Sequence, residues 1–298
     1  MKLKIICPTC GGSLKLSSQI FCPDCNEEFP VYNRTPVLLS NKNDLFNKEL
    51  SIDQSSSGFN TGFSSKISNY LPGITLNTFQ DRALQAFINN LDKSDLCLVV
   101  GAGFDKGLKS KLLEKSDNVI VTDVITSPLT DYVCDVTNLP FANNQFDAVF
   151  VIAVLEHVVE PQVAVSEISR VLRYDGRVFS SIPFMQQVHM GCYDFTRYTL
   201  LGHRWLFKSF SMVDLAPSSG SGTALLWSIT SFFRSFTIGK NSTLIIKSLV
   251  RILLFWIKYF DLLQKNSGDF ASGTYFVGLN KKAPVLDKKE LVNLYNKK

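Results

Sequence analysis

The chain lacks several things that would decide its class at once. Its 298 residues contain no run of about 18 uncharged apolar residues, so a membrane-spanning helix is not expected. The opening "MKLKIICPTCGG" has too short an apolar stretch for a secretion signal, and the cytoplasm is the expected compartment. No sign of charge dominates: a net charge of +5 permits an anionic partner or lipid surface, but does not demand nucleic acid, and no DNA is expected as partner. The glycine turn Gly101-Ala102-Gly103 is followed by no Gly-Lys-Ser/Thr, which excludes a triphosphate loop. It also lacks the third glycine of a dinucleotide loop, with Lys106 at that position.

What is present is uneven. Four of seven cysteines fall in the first 25 residues, as Cys7-x2-Cys10 and Cys22-x2-Cys25. In a reducing compartment this spacing reads as two knuckles clamping a structural Zn²⁺. Pro8 and Pro23 stiffen the knuckles, and Gly11 and Asn26 stand where a positive φ turns backbone N–H groups toward the thiolates. Four thiolates close the site, so no catalysis is assigned to it. The ribbon is expected over residues 1–40, a polar linker over 41–74, an α/β domain over 75–215, and C-terminal helices, a last strand and a basic tail over 216–298.

Apolar runs at 96–100, 118–124, 132–136, 146–158 (the fourth running into a helix start) and 176–184 alternate with helical patterns. That alternation predicts βαβ units and a mainly parallel sheet, with ligands at the carboxyl ends of its strands. A helix is expected at 76–91, capped by Thr75. The tight glycine turn, an acid ending the second strand (Asp123) and an acid after the third (Asp135) suit S-adenosylmethionine, although an acid at Asp123 also suits a NAD ribose.

"DVTNLPFANNQFDAVFVIAVLEHVVEPQVAVSEISRVLRYDGRVFSSIPF" resembles class I S-adenosylmethionine-dependent methyltransferases of the type-11 kind. Its features are an acid, Leu-Pro-Phe, Phe-Asp, a strand, Leu-Glu-His-Val, and a helix ending Arg-Val-Leu. The resemblance covers roughly residues 76–215. It implies a Rossmann-like α/β fold: a seven-stranded sheet, helices on both faces, and the cofactor across the carboxyl edge. It places Gly101, Ala102 and Gly103 at the methionine moiety, Asp123 at the ribose, Asp135 and Val136 at the adenine, and Ala153 at the cofactor's floor. The family's usual acid two residues before the first glycine is here Val99, and Asp105 replaces the third loop glycine. Asp147 reads as a strand-entry residue. Glu156 and His157 either start a helix or touch cofactor or substrate.

The segment 183–207 is dense in ligand-binding groups. His189 is the candidate base for an acceptor hydroxyl. Asp194, Arg197 and Tyr198 are candidate substrate-binding residues, with an Asp194–Arg197 ion pair as the competing reading. The segment and the ribbon are similar to bacterial methyltransferases of glycan modification, which implies a glycan or lipid-linked saccharide acceptor. An RNA or small-molecule methyltransferase, with the ribbon as clamp, and a non-catalytic scaffold are the other readings. Residues 244–265 carry Lys247, Arg251, Lys258, Asp261 and Lys265 in one stripe on an otherwise apolar helix. This pattern suits peripheral contact with the inner face of the membrane, the basic stems reaching toward headgroups. The same faces would otherwise pack internally or in a homodimer.

Overall fold

The computed structural model describes residues 3–16, 19–48, 51, 71–101, 106–264, 268–281 and 285–296. Its centre is a seven-stranded sheet. In chain order the strands are β6 (Leu96–Val100), β7 (Asn118–Asp123), β8 (Tyr132–Val133), β9 (Phe146–Ile152), β10 (Leu172–Pro183), β11 (Ser211–Ser219) and β12 (Gly273–Leu279). Their spatial order is β11-β12-β10-β9-β6-β7-β8. β6 pairs in parallel with both β7 and β9, and β9 with β10. β12 runs antiparallel between β10 and β11.

The uninterrupted apolar runs of β6 and β9 follow from burial on both faces. Helix α1 (Thr78–Asn89) covers one face, with Phe87 edge-on to Phe150 and Phe179. Leu108 and Leu112 of α2 (Lys106–Leu113) join the same core cluster. On the other face α3 (Pro161–Val171) presents Ala164, Val165, Ile168 and Val171 at helical spacing to Val149, Val151 and Val178. The short helix α4 (Leu200–Leu206) leads into Phe207 and Phe210, which pack with Phe276 of β12 on that face.

The domain boundary expected at 215 is corrected. It falls inside β11, and β12 completes the same sheet nearly sixty residues later. Thr75 does not cap α1: its Oγ1 accepts from Trp227 Nε1 at 3.2 Å, and the helix starts after Asn77. Asp147, read as a strand-entry residue, accepts from Leu96 N at 2.6 Å and pairs with Arg173.

The cysteine module is five two-residue strands, β1 (Lys15–Leu16), β2 (Ile20–Phe21), β3 (Glu28–Phe29), β4 (Val31–Tyr32) and β5 (Thr35–Pro36). It leans on the sheet edge. Val37 bridges Val133 in parallel, and Leu38 N donates to Val133 O at 2.7 Å, so its exit segment prolongs the sheet past β8. Residues 41–48, expected within a linker, are also engaged. Lys48 pairs with Glu27 at 3.0 Å, and Phe46 stacks on Tyr193.

Between β11 and β12 lies a helical hairpin: α5 (Ser221–Arg234), α6 (Lys240–Leu254) and a tight 3-10 segment (Phe255–Leu263). The single helix expected at 244–265 therefore changes winding at 255. Asp261 explains part of this. It is buried and accepts from Gly222 N (2.6 Å), Thr223 N (3.2 Å) and Thr223 Oγ1 (2.8 Å), capping a helix whose own N-cap, Gly220, has no side chain. A last helix, α7 (Lys288–Asn296), ends the described chain.

One buried residue gives the fold a pH response. His203 of α4 bridges Ser180 Oγ (3.0 Å) and Thr274 Oγ1 (2.9 Å) with no exposure, and burial pushes its pKa down to about 3. The unfolded chain takes up a proton below about pH 6.5 that the folded one refuses. Stability should therefore fall by about 1.4 kcal/mol per pH unit from this residue between roughly pH 6.5 and pH 4. Urea unfolding across that range checks it, and His203→Gln should flatten the slope by that amount.

Candidate active site

The glycine turn begins at the carboxyl end of β6. Gly101 has φ +72°, and a Cβ there would overlap Val154 Cγ2. Its N–H donates to Thr122 O at 2.7 Å, which fixes the turn against β7. Only glycine satisfies both the dihedral and the close approach. Ala102 and Gly103 lie outside the described residues. Val99, where the family's acid is expected, is buried in the core between α1 and the sheet.

Asp123 ends β7, with its Oδ1 accepting from Ile125 N at 3.3 Å and its carbonyl from Cys134 N at 2.9 Å. Asp135 follows β8. Its Oδ1 accepts from Thr137 N (2.9 Å) and its Oδ2 from Asn43 Nδ2 (2.7 Å), so residues beyond the ribbon orient this carboxylate. Val136 is buried beneath it. Ala153, just after β9, is exposed with φ +53° and donates to Ser181 O at 2.9 Å. These residues stand at the carboxyl ends of β6 to β9, and the space a side chain at Gly101 would need is taken by Val154.

Beyond Val154 the chain makes one 3-10 turn, Leu155–His157. Glu156 is fully buried, and neither carboxylate oxygen meets a hydrogen-bond donor among the described residues. Burial pushes its pKa up to about 7. His157 Nδ1 donates to Tyr193 O at 2.7 Å, and its Nε2 faces Glu156 Oε1 at 3.7 Å. The ring of His189 lies edge-on to His157 at 4.8 Å, with its Nδ1 3.2 Å from Asp194 Oδ2. The sequence left Glu156 and His157 open. Leu-Glu-His after a buried strand was the one signal for them.

The Asp194–Arg197 ion pair, the competing reading, is what forms. Arg197 grips both oxygens of Asp194, and its other N–H groups donate to Gln186 O (2.9 Å), Thr196 O (2.8 Å) and Gln187 O (3.2 Å). The guanidinium beside it holds the Asp194 carboxyl well below the usual range. No donor remains for an acceptor's phosphate or carboxylate, so the pair clasps the 186–197 loop and positions His189. Tyr198 lines a different cleft of about 540 Å³ between α3 and α4, with Gln162, Arg170 and Trp205.

In the ribbon, the sulfurs of Cys7, Cys10, Cys22 and Cys25 lie within 4.8 Å of one another, with Cys7–Cys25 at 3.7 Å and Cys10–Cys22 at 3.4 Å. Thiolates about 2.3 Å from a tetrahedral Zn²⁺ are roughly 3.8 Å apart, so this set could hold the ion. Gly11 (φ +76°) and Asn26 (φ +57°) take the left-handed conformation at both knuckles.

Residues 91–180 match the family model of a methyltransferase domain. Among solved structures the chain is similar to Haemonchus contortus phosphoethanolamine N-methyltransferase 2, in complex with phosphomonomethylethanolamine and S-adenosylhomocysteine. The identity is 16%, the TM-score 0.48, and the match covers 75% of this chain and 59% of that one. It is similar to coclaurine N-methyltransferase bound to N-methylheliamine and S-adenosylhomocysteine (16% identity, TM-score 0.44, 69% and 74% covered). It is also similar to the [4+2]-cyclase SpnF (16% identity, TM-score 0.44, 68% and 81% covered). No curated protein matches the chain. The chain thus carries a methyltransferase domain across the strands that bear Gly101, Asp123, Asp135 and Ala153, and S-adenosylmethionine is the methyl donor that goes with it.

Proposed function

We propose that this protein transfers the methyl group of S-adenosylmethionine to a hydroxyl oxygen of a lipid-linked saccharide, working at the cytoplasmic surface of a membrane. In that step the sulfur–methyl bond breaks and its electron pair stays on sulfur. The oxygen–methyl bond forms, and the hydroxyl gives up its proton. The donor is already activated, so the protein's main task is alignment. Gly101, with Gly103 of the same loop, approaches the methionine moiety, Asp123 the ribose, and Asp135 and Val136 the adenine. His189 is the residue we set against the acceptor oxygen. Its Nδ1 lies 3.2 Å from Asp194 Oδ2 and 3.5 Å from Arg197 Nη2, and its imidazole takes the proton that the hydroxyl gives up.

The observation that carries the reading is the α5–α6 hairpin, which is apolar on the outside. Phe236, Ile245, Leu249, Ile252, Leu253 and Trp256 are all exposed. The polar stripe in part points inward: Lys258 Nζ donates to Gly73 O at 2.6 Å, Arg251 Nε to Pro72 O at 2.9 Å, and Asp261 caps α5. This corrects the expectation that Arg251 and Lys258 reach toward headgroups; of the stripe, Lys247 is exposed and Lys265 lies outside the described residues. No described helix is long and apolar enough to cross a membrane. Each half-exposed large side chain gains roughly 1 kcal/mol on entering lipid, enough together for interfacial binding. The protein should therefore float with vesicles of mixed neutral and anionic lipid, and Ile252→Asp with Trp256→Asp should abolish flotation while its unfolding midpoint stays. Wild-type protein left at the bottom of the gradient, as a dimer by light scattering, would replace the membrane with a second copy.

A further inference from the structure

We propose that Glu156, His157 and His189 bind one divalent transition-metal cation at the carboxyl edge of the sheet, apart from the cysteine cluster. One ligand atom from each lies within 4.8 Å of the other two. Two further observations point to a cation. The first is Glu156, a fully buried carboxyl group with no donor on either oxygen among the described residues. A group so placed is costly unless something positive or a proton meets it.

The second is the tautomer of His157. Its Nδ1 faces the carbonyl of Tyr193 at 2.7 Å, so the proton is on Nδ1 and the lone pair on Nε2. That lone pair faces Glu156 Oε1 at 3.7 Å, too long for a hydrogen bond. A cation shared between the two atoms would satisfy both. Ligand atoms about 2.1 Å from one ion stand roughly 3.0–3.4 Å apart, so shifts of under about 1 Å close the site.

His189 repeats the arrangement. Its Nδ1 is 3.2 Å from Asp194 Oδ2 and 3.5 Å from Arg197 Nη2, and one of its ring nitrogens completes the ligand set. A carboxylate or carbonyl behind each imidazole is how protein metal ligands are held. Arg197, which lies nearby, is paired with Asp194. His189 is partly exposed, so an ion can enter and keep open coordination positions. Two imidazoles and one carboxylate suit Mn²⁺, Fe²⁺ or Zn²⁺ better than Ca²⁺ or Mg²⁺. An acceptor hydroxyl in an open position would lose its proton more readily. That role rests on the methyl-transfer reading above; cation binding itself does not.

The test is Mn²⁺ titration of the full chain with its ribbon zinc-loaded, free Mn²⁺ being read by electron paramagnetic resonance. Mn²⁺ leaves the thiolates alone, since soft ligands favour other ions. One Mn²⁺ per chain is expected, with affinity lowered at least tenfold in His189→Ala and in Glu156→Gln. His189 is on the surface, so its variant keeps the fold if Glu156→Gln does not. Absence of saturable Mn²⁺ binding, or equal binding in wild type and His189→Ala, overturns the proposal. S-adenosylhomocysteine binding and flotation, measured on the same samples, separate this failure from failure of the functional reading.

Discussion

Chelating zinc, or replacing Cys22 by serine, is expected to unfold the ribbon and weaken S-adenosylhomocysteine binding at least tenfold, while the seven-stranded sheet stays folded. The ribbon's strands are two residues each, and among the described residues its buried cluster is Cys7, Ile20, Cys22, Phe29 and Leu38. So small a core cannot outweigh the entropy of ordering about 40 residues, whereas structural Zn²⁺ contributes about 10–16 kcal/mol in comparable peptides. The effect reaches the carboxyl edge of the sheet through named bonds. Asn138 Nδ2 donates to Pro8 O at 2.6 Å, Asn43 Nδ2 to Asp135 Oδ2 at 2.7 Å, and Leu38 N to Val133 O at 2.7 Å. All three hold β8 or the loop after it. With the ribbon and the 41–48 segment that follows it unfolded, Asp135 loses the donor Asn43 and β8 becomes a bare edge. Hydrogen exchange would show protection lost over residues 3–48 and 132–138 but kept in β6 and β9, and calorimetry would give the affinity. Unchanged affinity in a chain with an unfolded ribbon would detach the ribbon from the cofactor site.

The parts of the molecule that were legible in the sequence are those where one residue type has one physical reason. β6 and β9 read as buried strands because a strand covered on both faces must be apolar throughout. Leu139-Pro140-Phe141 and the Arg170 of Arg-Val-Leu, noticed only as parts of one resemblance, are joined physically. Arg170 donates to Leu139 O (2.8 Å) and Phe141 O (2.6 Å), and Glu167 accepts from Leu139 N (2.9 Å). The losses have physical causes too. Periodicity gives the angle between two faces of a helix but not which face turns inward, so the stripe with Arg251 and Lys258 was read correctly and aimed wrongly. The place of β12 between β10 and β11 depends on pairing across the whole hairpin, which local pattern does not encode. Asn43 and Phe46 lie in a polar stretch and gain their roles only from Asp135 and Tyr193. Glu156 stays open between a helix start and a ligand contact at the level of sequence, because an acid is seldom fully buried and sequence shows no burial.

Gly101→Ala should lower both stability and ligand affinity. An alanine at φ +72° costs about 1–2 kcal/mol. Its Cβ also overlaps Val154 Cγ2, and Val154 cannot retreat freely, being packed against the larger core cluster. Together these should lower stability by about 2–4 kcal/mol. Pushing Val154 aside also shifts the turn that carries Glu156 and His157, so the damage does not stay local. S-adenosylhomocysteine affinity should fall at least a hundredfold, about 2.7 kcal/mol. Val154→Ala in the same chain separates the two causes. It removes the overlap but leaves the dihedral, so the double variant should recover about 1 kcal/mol or more of stability beyond additivity. Urea unfolding and calorimetry on the four proteins measure both quantities. If Gly101→Ala lost stability yet kept its affinity, the turn would be a folding requirement and the cofactor would have to bind elsewhere. If Val154→Ala restored both, the glycine would be there for space rather than for its dihedral.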